Sequence, residues 1–219
     1  MQCGTEQLID AGMRPAPRVS IIIPVRNDSL RLKRCLGAVA ALGYRDFEII
    51  VADDASTDET PAVAESFGAS VVRIRRCIGS AAARNAAVEQ ARGEIVLFVD
   101  ADVLVHPNTL DVAVKSLDDN PTVDAVFGSY DLDPGERSLL SQYKNLAHRY
   151  YHQAAHPRAS TFWTGCGAIR RDAFRSVGGF DANLFDRFVI SPDRLAAGLV
   201  PPRGFKLNVK LQMGLMLFF

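Results

Sequence analysis

Cysteine is scarce in this chain and never paired at short spacing. The four cysteines, Cys3, Cys35, Cys77 and Cys166, contain no C-x-x-C pair, so a zinc site is not indicated. Each lies in or beside an apolar segment, which fits reduced, mostly buried thiols in a cytoplasmic protein. An excess of charge of either sign is also missing. Lys plus Arg number 25 and Asp plus Glu number 25, so no net field recommends nucleic acid as a partner. No apolar run reaches the roughly 18 residues needed to span a bilayer. The first seventeen residues are polar and lack the apolar core of a signal peptide. The closing stretch Leu211–Phe219 is apolar apart from Gln212 but too short to cross a membrane. Peripheral membrane association stays open for it, with only Lys206 and Lys210 as a cationic flank. Neither a G-x-x-x-x-G-K-S/T phosphate loop nor a G-x-G-x-x-G fingerprint occurs, which disfavours the P-loop and dinucleotide folds.

What is present is an ordinary globular composition, 48% apolar and 23% charged over 219 residues, enough for one α/β domain with a real core. The organising stretch is Glu94-Ile95-Val96-Leu97-Phe98-Val99-Asp100-Ala101-Asp102. It reads as a strand buried on both faces that ends in two carboxylates. Asp100 and Asp102 stand at i and i+2, so an extended chain would point both the same way. Such a pair repels itself and is costly to desolvate, which calls for solvent or a hard divalent cation. A solvated acidic turn is the plain alternative.

Upstream, Val19–Val25 is a strand with Pro24 at its exit. A helix follows with Leu32, Cys35, Leu36, Val39 and Ala40 on one face. Phe47–Ala52 is a second strand ending in Asp53 and Asp54. Ser56 and Glu59 have capping-box spacing for a helix that runs to about Phe67 and is closed by Gly68. Ser70–Ile74 is a third strand, and Gly79 and Ser80 open an alanine-rich helix through Arg92 that Gly93 ends. The alternation β-α-β-α-β-α-β predicts a doubly wound, mostly parallel sheet flanked by helices, with ligands beyond the carboxyl ends of its strands. Three successive strands place polar groups at that edge: Pro24 to Asp28, Asp53 with Asp54, and Asp100 with Asp102. Helix capping is the plain alternative for Asp53 and Asp54. Further on come a helix over Asn108–Leu117, a strand over Val123–Tyr130 and a longer helix over Arg137–Gln153. That longer helix carries Tyr143, His148, Tyr150, Tyr151 and His152, which reads first as an amphipathic surface. Trp163 stands beside the glycines Gly165 and Gly167, where a backbone can approach a ligand closely.

These segments resemble the family 2 glycosyltransferases, inverting enzymes of the GT-A fold. The resemblance is carried by Val19-Ser20-Ile21-Ile22-Ile23-Pro24 with Asn27, Ile50 to Asp58, Ala83-Arg84-Asn85, Phe98 to Asp102, and Val177-Gly178-Gly179-Phe180-Asp181. It spans residues 18 to 185. It implies a nucleotide-binding half over 18–105 and an acceptor half over 106–185, preceded by a polar extension over 1–17. Pro24, Asn27, Asp53, Asp54, Arg84 and Asp100 are then expected around the nucleotide, with Asp54 on the base. Asp100 and Asp102 are expected to hold Mg²⁺ or Mn²⁺ on the diphosphate of a UDP- or GDP-linked sugar. Trp163, Gly165, Gly179 and Asp181 are expected to face the donor sugar and a sugar, lipid or polysaccharide acceptor. The implied setting is the cytoplasm or the inner face of the membrane, in the building of cell-envelope polysaccharide.

The pattern departs from the family after residue 185. Members carry a Glu-Asp pair, whose aspartate is the general base, about a dozen residues past the Gly-Gly-Phe-Asp motif. Here the window Asp186 to Leu195 contains no such pair, and Asp193 is the nearest substitute. The tail 186–219 diverges, as a truncated or altered reading frame would. The missing pair leaves a catalytically impaired nucleotide-sugar-binding protein or gene fragment as one alternative; a nucleotidyltransferase, which also pairs an α/β sheet with metal-binding carboxylates, is the other.

Overall fold

The computed structural model describes residues 15–130, 132, 139–154, 162–182, 207–208 and 215–217. Strand β1 (Val19–Val25) is buried along its whole length, as its unbroken apolar run requires of a central parallel strand. It pairs in parallel with β2 (Phe47–Asp54), which pairs in parallel with β3 (Ser70–Ile74). On its other side β1 pairs in parallel with β4 (Ile95–Val99). That pairing runs only from Val19 opposite Ile95 to Ile22 opposite Phe98. Pro24 therefore lies past the end of the β1–β4 ladder but still within the β1–β2 register, opposite Ala52, one residue before the strand ends.

The strands are linked by α1 (Ser29–Ala40), α2 (Thr60–Ser66) and α3 (Ser80–Val88). After β4 the chain makes β5 (Val103–Val105), α4 (Thr109–Asp119), β6 (Ala125–Phe127), α5 (Leu139–Ala154), β7 (Cys166–Arg170) and α6 (Arg171–Ser176). Two short strands complete the order, β8 (Leu207–Asn208) and β9 (Leu215–Leu217). The main sheet runs β3-β2-β1-β4-β7-β6-β8, with β7 antiparallel to both β4 and β6, while β5 pairs with β9. One face of the sheet packs Ile21, Ile23 and Leu97 against Leu32, Cys35, Leu36 and Val39 of α1 and Leu110, Ala113 and Leu117 of α4. The other packs Ile22, Ile50 and Phe98 against Ala83, Ala87 and Val88 of α3 and Phe174 of α6. Helices on both faces make this the α/β, doubly wound fold expected.

Local expectations differ from the structure at four places. Ala40 is exposed, although the other four residues of the α1 stripe are buried. The Ser56–Glu59 capping box does not form. With Pro61 in its first turn, α2 starts at Thr60, and its Thr60 amide donates to Asp58 Oδ1 (3.0 Å). Helix α3 stops at Val88 rather than Arg92. The Arg92 and Gly93 amides leave the helix to donate to Glu48 Oε1 (2.8 Å) and Ser20 Oγ (2.9 Å). The strand expected over Val123–Tyr130 is regular only over Ala125–Phe127. Among the described residues, no helix is long and apolar enough to cross a membrane.

Candidate active site

The site forms where β1, β2 and β4 end, because a parallel sheet delivers all three carboxyl ends to one edge. Asp53 and Asp54 close β2 and are both buried. Asp53 Oδ1 accepts from the Ser56 amide (3.1 Å), closing a tight turn in which Ala55 takes a left-handed φ of 61°. Asp54 turns to the loop ahead of α3. Its Oδ1 accepts from the Ile78 amide (2.8 Å), and its Oδ2 from the Gly79 amide (2.9 Å) and the Cys77 thiol (3.2 Å). Neither aspartate caps α2. Asn27 is likewise engaged with protein: its amide donates to Ser56 Oγ (2.9 Å) and its Oδ1 accepts from the Thr57 amide (2.7 Å). Asn27 and Asp54 thus order the two loops that frame the edge.

Arg84, on α3, is 3% exposed and donates to Asp100 Oδ1 (2.5 Å). A guanidinium this deeply buried needs a carboxylate partner, and Asp100 supplies it. The backbone of Asp100 is held from two sides. Its N–H donates to the Gly165 carbonyl (3.1 Å), and its carbonyl accepts from the Cys35 thiol (3.7 Å). The chain does not stay extended past Val99: the Val103 amide returns to the Asp100 carbonyl (2.9 Å), making a turn of Asp100 to Val103. A turn rather than strand alternation therefore brings the two carboxylates together. Burial first, and then the Asp100 charge, push the Asp102 pKa up to about 6.

Asp100 already has a cation in Arg84, whereas Asp102 is a hard oxygen donor whose charged form is penalised. No cluster of three or more His, Cys, Asp or Glu side chains that could hold a metal occurs among the described residues. Two carboxylates alone would fit a hard divalent cation only where ligand oxygens and water complete its shell.

Beside this pair stands an aromatic cluster that the sequence did not reveal. His148 of α5 stacks on Tyr130 at 5.2 Å between ring centroids, and Trp163 lies 5.5 Å from His148 and 6.2 Å from Tyr130. The Tyr130 hydroxyl has its pKa raised by burial and then by the charges of Asp100 and Asp102, so the cluster borders the carboxylates. Gly165 makes this possible. A Cβ there would sit 2.8 Å from Trp163 Nε1 and 3.6 Å from Asp100 Oδ2. Gly179 lies against α3, and Asp181 is exposed just beyond it. Asp193 and the window around it fall outside the described residues.

A doubly wound sheet edged by Asp53, Asp54, Arg84 and an Asp-x-Asp turn defines a GT-A fold. The comparisons narrow this further. Residues 20–178 match the model of the family "Glycosyl transferase family 2". The chain is 30% identical over 176 residues to the glycosyltransferase AglE of Haloferax volcanii, covering 77% of this chain and 57% of that protein. A solved mannosyltransferase from Pyrobaculum calidifontis, described in complex with GDP-Man and Mn²⁺, superposes with a TM-score of 0.63 at 27% identity. That match covers 89% of this chain and 57% of the other. TarS of S. aureus shares the fold with a TM-score of 0.66 at 22% identity, over 90% of this chain and 59% of its own. The chain belongs to glycosyl transferase family 2. It spans somewhat over half the length of these relatives.

Proposed function

We propose that the protein transfers a sugar from a nucleoside-diphosphate donor to an acceptor hydroxyl, with inversion, at the β1–β2–β4 edge. The observation that carries this reading is the buried Arg84–Asp100 ion pair in the turn that also holds Asp102. Asp102 is the carboxylate left for a divalent cation, Mg²⁺ or Mn²⁺, with Asp100 as its neighbour. When bound, the cation would offset the negative charge that develops on the departing diphosphate. Arg84 adds a fixed positive charge at the same place.

Both Asp54 oxygens are committed to the 77–79 loop, so Asp54 shapes the base pocket through that loop, and Asp53 is the member of the pair left to reach the base. Trp163, Gly165, Gly179 and Asp181 border the donor sugar and acceptor. A UDP- or GDP-linked donor is the proposed class, supported by the mannosyltransferase described with GDP-Man. Displacement at the anomeric carbon needs a base on the acceptor hydroxyl, and Asp193 is proposed for it.

Calorimetric titration with UDP, GDP and their sugars, in Mn²⁺ and in chelator, tests this reading. Metal-dependent binding of one nucleotide is expected. Absence of binding by all of them would overturn it, and binding without turnover on any acceptor would leave a nucleotide-sugar-binding protein.

A further inference from the structure

We propose that Asn85 is a positioning residue, which clamps the 178–181 loop to α3 and so sets where Arg84 stands on Asp100. The proposal rests on the nucleotide-sugar reading of the site. Asn85 Nδ2 donates to the Phe180 carbonyl (2.7 Å), and Asn85 Oδ1 accepts from the Phe180 amide (2.9 Å). One side-chain amide thus satisfies both backbone groups of a single residue 95 positions away, as a neighbouring strand would. The loop is shaped to receive it. The Gly178 amide donates to the Arg175 carbonyl (3.0 Å) and the Gly179 amide to the Phe174 carbonyl (3.1 Å), with φ of 80° and 74°. A Cβ on Gly179 would meet Asn85 Oδ1 at 2.8 Å, so any side chain there forces the amide away.

The clamp fixes Phe180, and Phe180 backs Arg84. Its ring lies 5.1 Å from both Phe98 and Phe174, edge to face in each case. The Arg84 guanidinium carbon lies 6.0 Å from the ring centroid, at the outer limit of a cation–π contact. Arg84 therefore has Asp100 at its tip and Phe180 on its flank. Phe98 stands two residues before Asp100 on β4, so the packing returns to the strand that carries the carboxylates. Arg84 and Asn85 are consecutive on α3, about 100° apart around the helix, which sends one to the ion pair and the other to the loop. Opening the clamp would free Phe180 and admit water along the guanidinium, weakening the ion pair in higher dielectric. The loop after α6 and the donor-side ion pair are in this way one mechanical unit.

The test compares Mn²⁺-dependent affinity for a nucleoside diphosphate with affinity for the matching monophosphate, using the full chain. Asn85→Ala removes the clamp from the helix side and Gly179→Ala from the loop side, so failure of one variant to fold leaves the other. Each is expected to weaken diphosphate binding about tenfold and monophosphate binding less than twofold, with the double variant little worse than either single one. Folded variants that keep the wild-type ratio, or that lose both ligands equally, would overturn the proposal. Wild-type protein that binds no diphosphate would sink the underlying reading of the site, a result distinct from an unchanged ratio in the variants.

Discussion

Asp102 sits between two demands. Burial and the Asp100 charge favour its protonated form, with a pKa of about 6, while the proposed metal would need it ionised. Asp102→Asn should remove metal-dependent nucleotide binding by at least tenfold, about 1.4 kcal/mol; unchanged affinity by calorimetry would remove the central assignment. In the wild type, metal-dependent affinity should fall as pH drops below about 6, because protons compete for the carboxylate. Stability runs the other way. The folded pKa lies above the ordinary aspartate value of about 3.9, so the folded state binds more protons in between and loses stability as pH rises from about 4 to 6. Asp102→Asn should therefore stabilise the metal-free protein at neutral pH, by on the order of 1–2 kcal/mol in urea unfolding, with the gain vanishing below about pH 4.

At the scale of elements, the amino ends of β1, β2 and β4 are joined by one carboxylate. Glu48 Oε1 accepts from Ser20 Oγ (2.7 Å) and the Arg92 amide (2.8 Å), and Oε2 accepts from Arg92 Nε (2.9 Å). Burial raises the Glu48 pKa, but these hydrogen bonds together outweigh it and hold the carboxyl below its usual range. Its stabilising contribution is therefore present above the ordinary glutamate value of about 4.3 and is lost as pH falls through the folded value. Glu48→Gln should cost about 1 kcal/mol at neutral pH in urea unfolding, and the difference should close in acid. Gly93→Ala is a harsher change, since a Cβ would lie 2.6 Å from the Ser20 backbone nitrogen. A loss of about 2–3 kcal/mol is expected from that overlap. Element order and type were legible because long apolar strands alternate with periodic helices between glycines. The end of α3 and the start of α2 were not, because Glu48, Ser20 and Asp58 compete for the terminal amides, and such partners cannot be seen from local propensity.

At the scale of the molecule, β7 turns a parallel sheet into a mixed one. It inserts antiparallel between β4 and β6 and brings Trp163 and Gly165 to the Asp100 carboxylate. Helix α5 adds His148 to that cluster and leaves Leu139, Tyr143, Leu146 and Tyr150 exposed at i, i+4, i+7 and i+11. Because β1, β2, β4 and β7 all border the proposed site, ligand binding there should stabilise the domain as a unit. A nucleoside diphosphate with Mn²⁺ at 100 times its Kd adds about 2.7 kcal/mol, which should raise Tm by roughly 5–10 °C. The same addition to Asp102→Asn, whose affinity is at least tenfold weaker, should add at most about 1.4 kcal/mol and so give no more than about half the wild-type rise in Tm, as measured by calorimetric scanning.

Read alone, the residues determined the α/β class, the sheet edge where polar groups gather and the family, because apolar periodicity, turn residues and five ordered motifs are properties of the chain itself. Tertiary structure alone decided which protein partner each polar side chain takes. Asp53 and Asp54 are adjacent acids in sequence, yet the 77–79 loop claims both oxygens of one. Arg84 and Asn85 are adjacent on one helix, yet one meets Asp100 and the other Phe180. Hydrogen bonds and ion pairs are made between groups brought together by the packing of distant segments, and the spacing of residues along the chain does not encode that proximity.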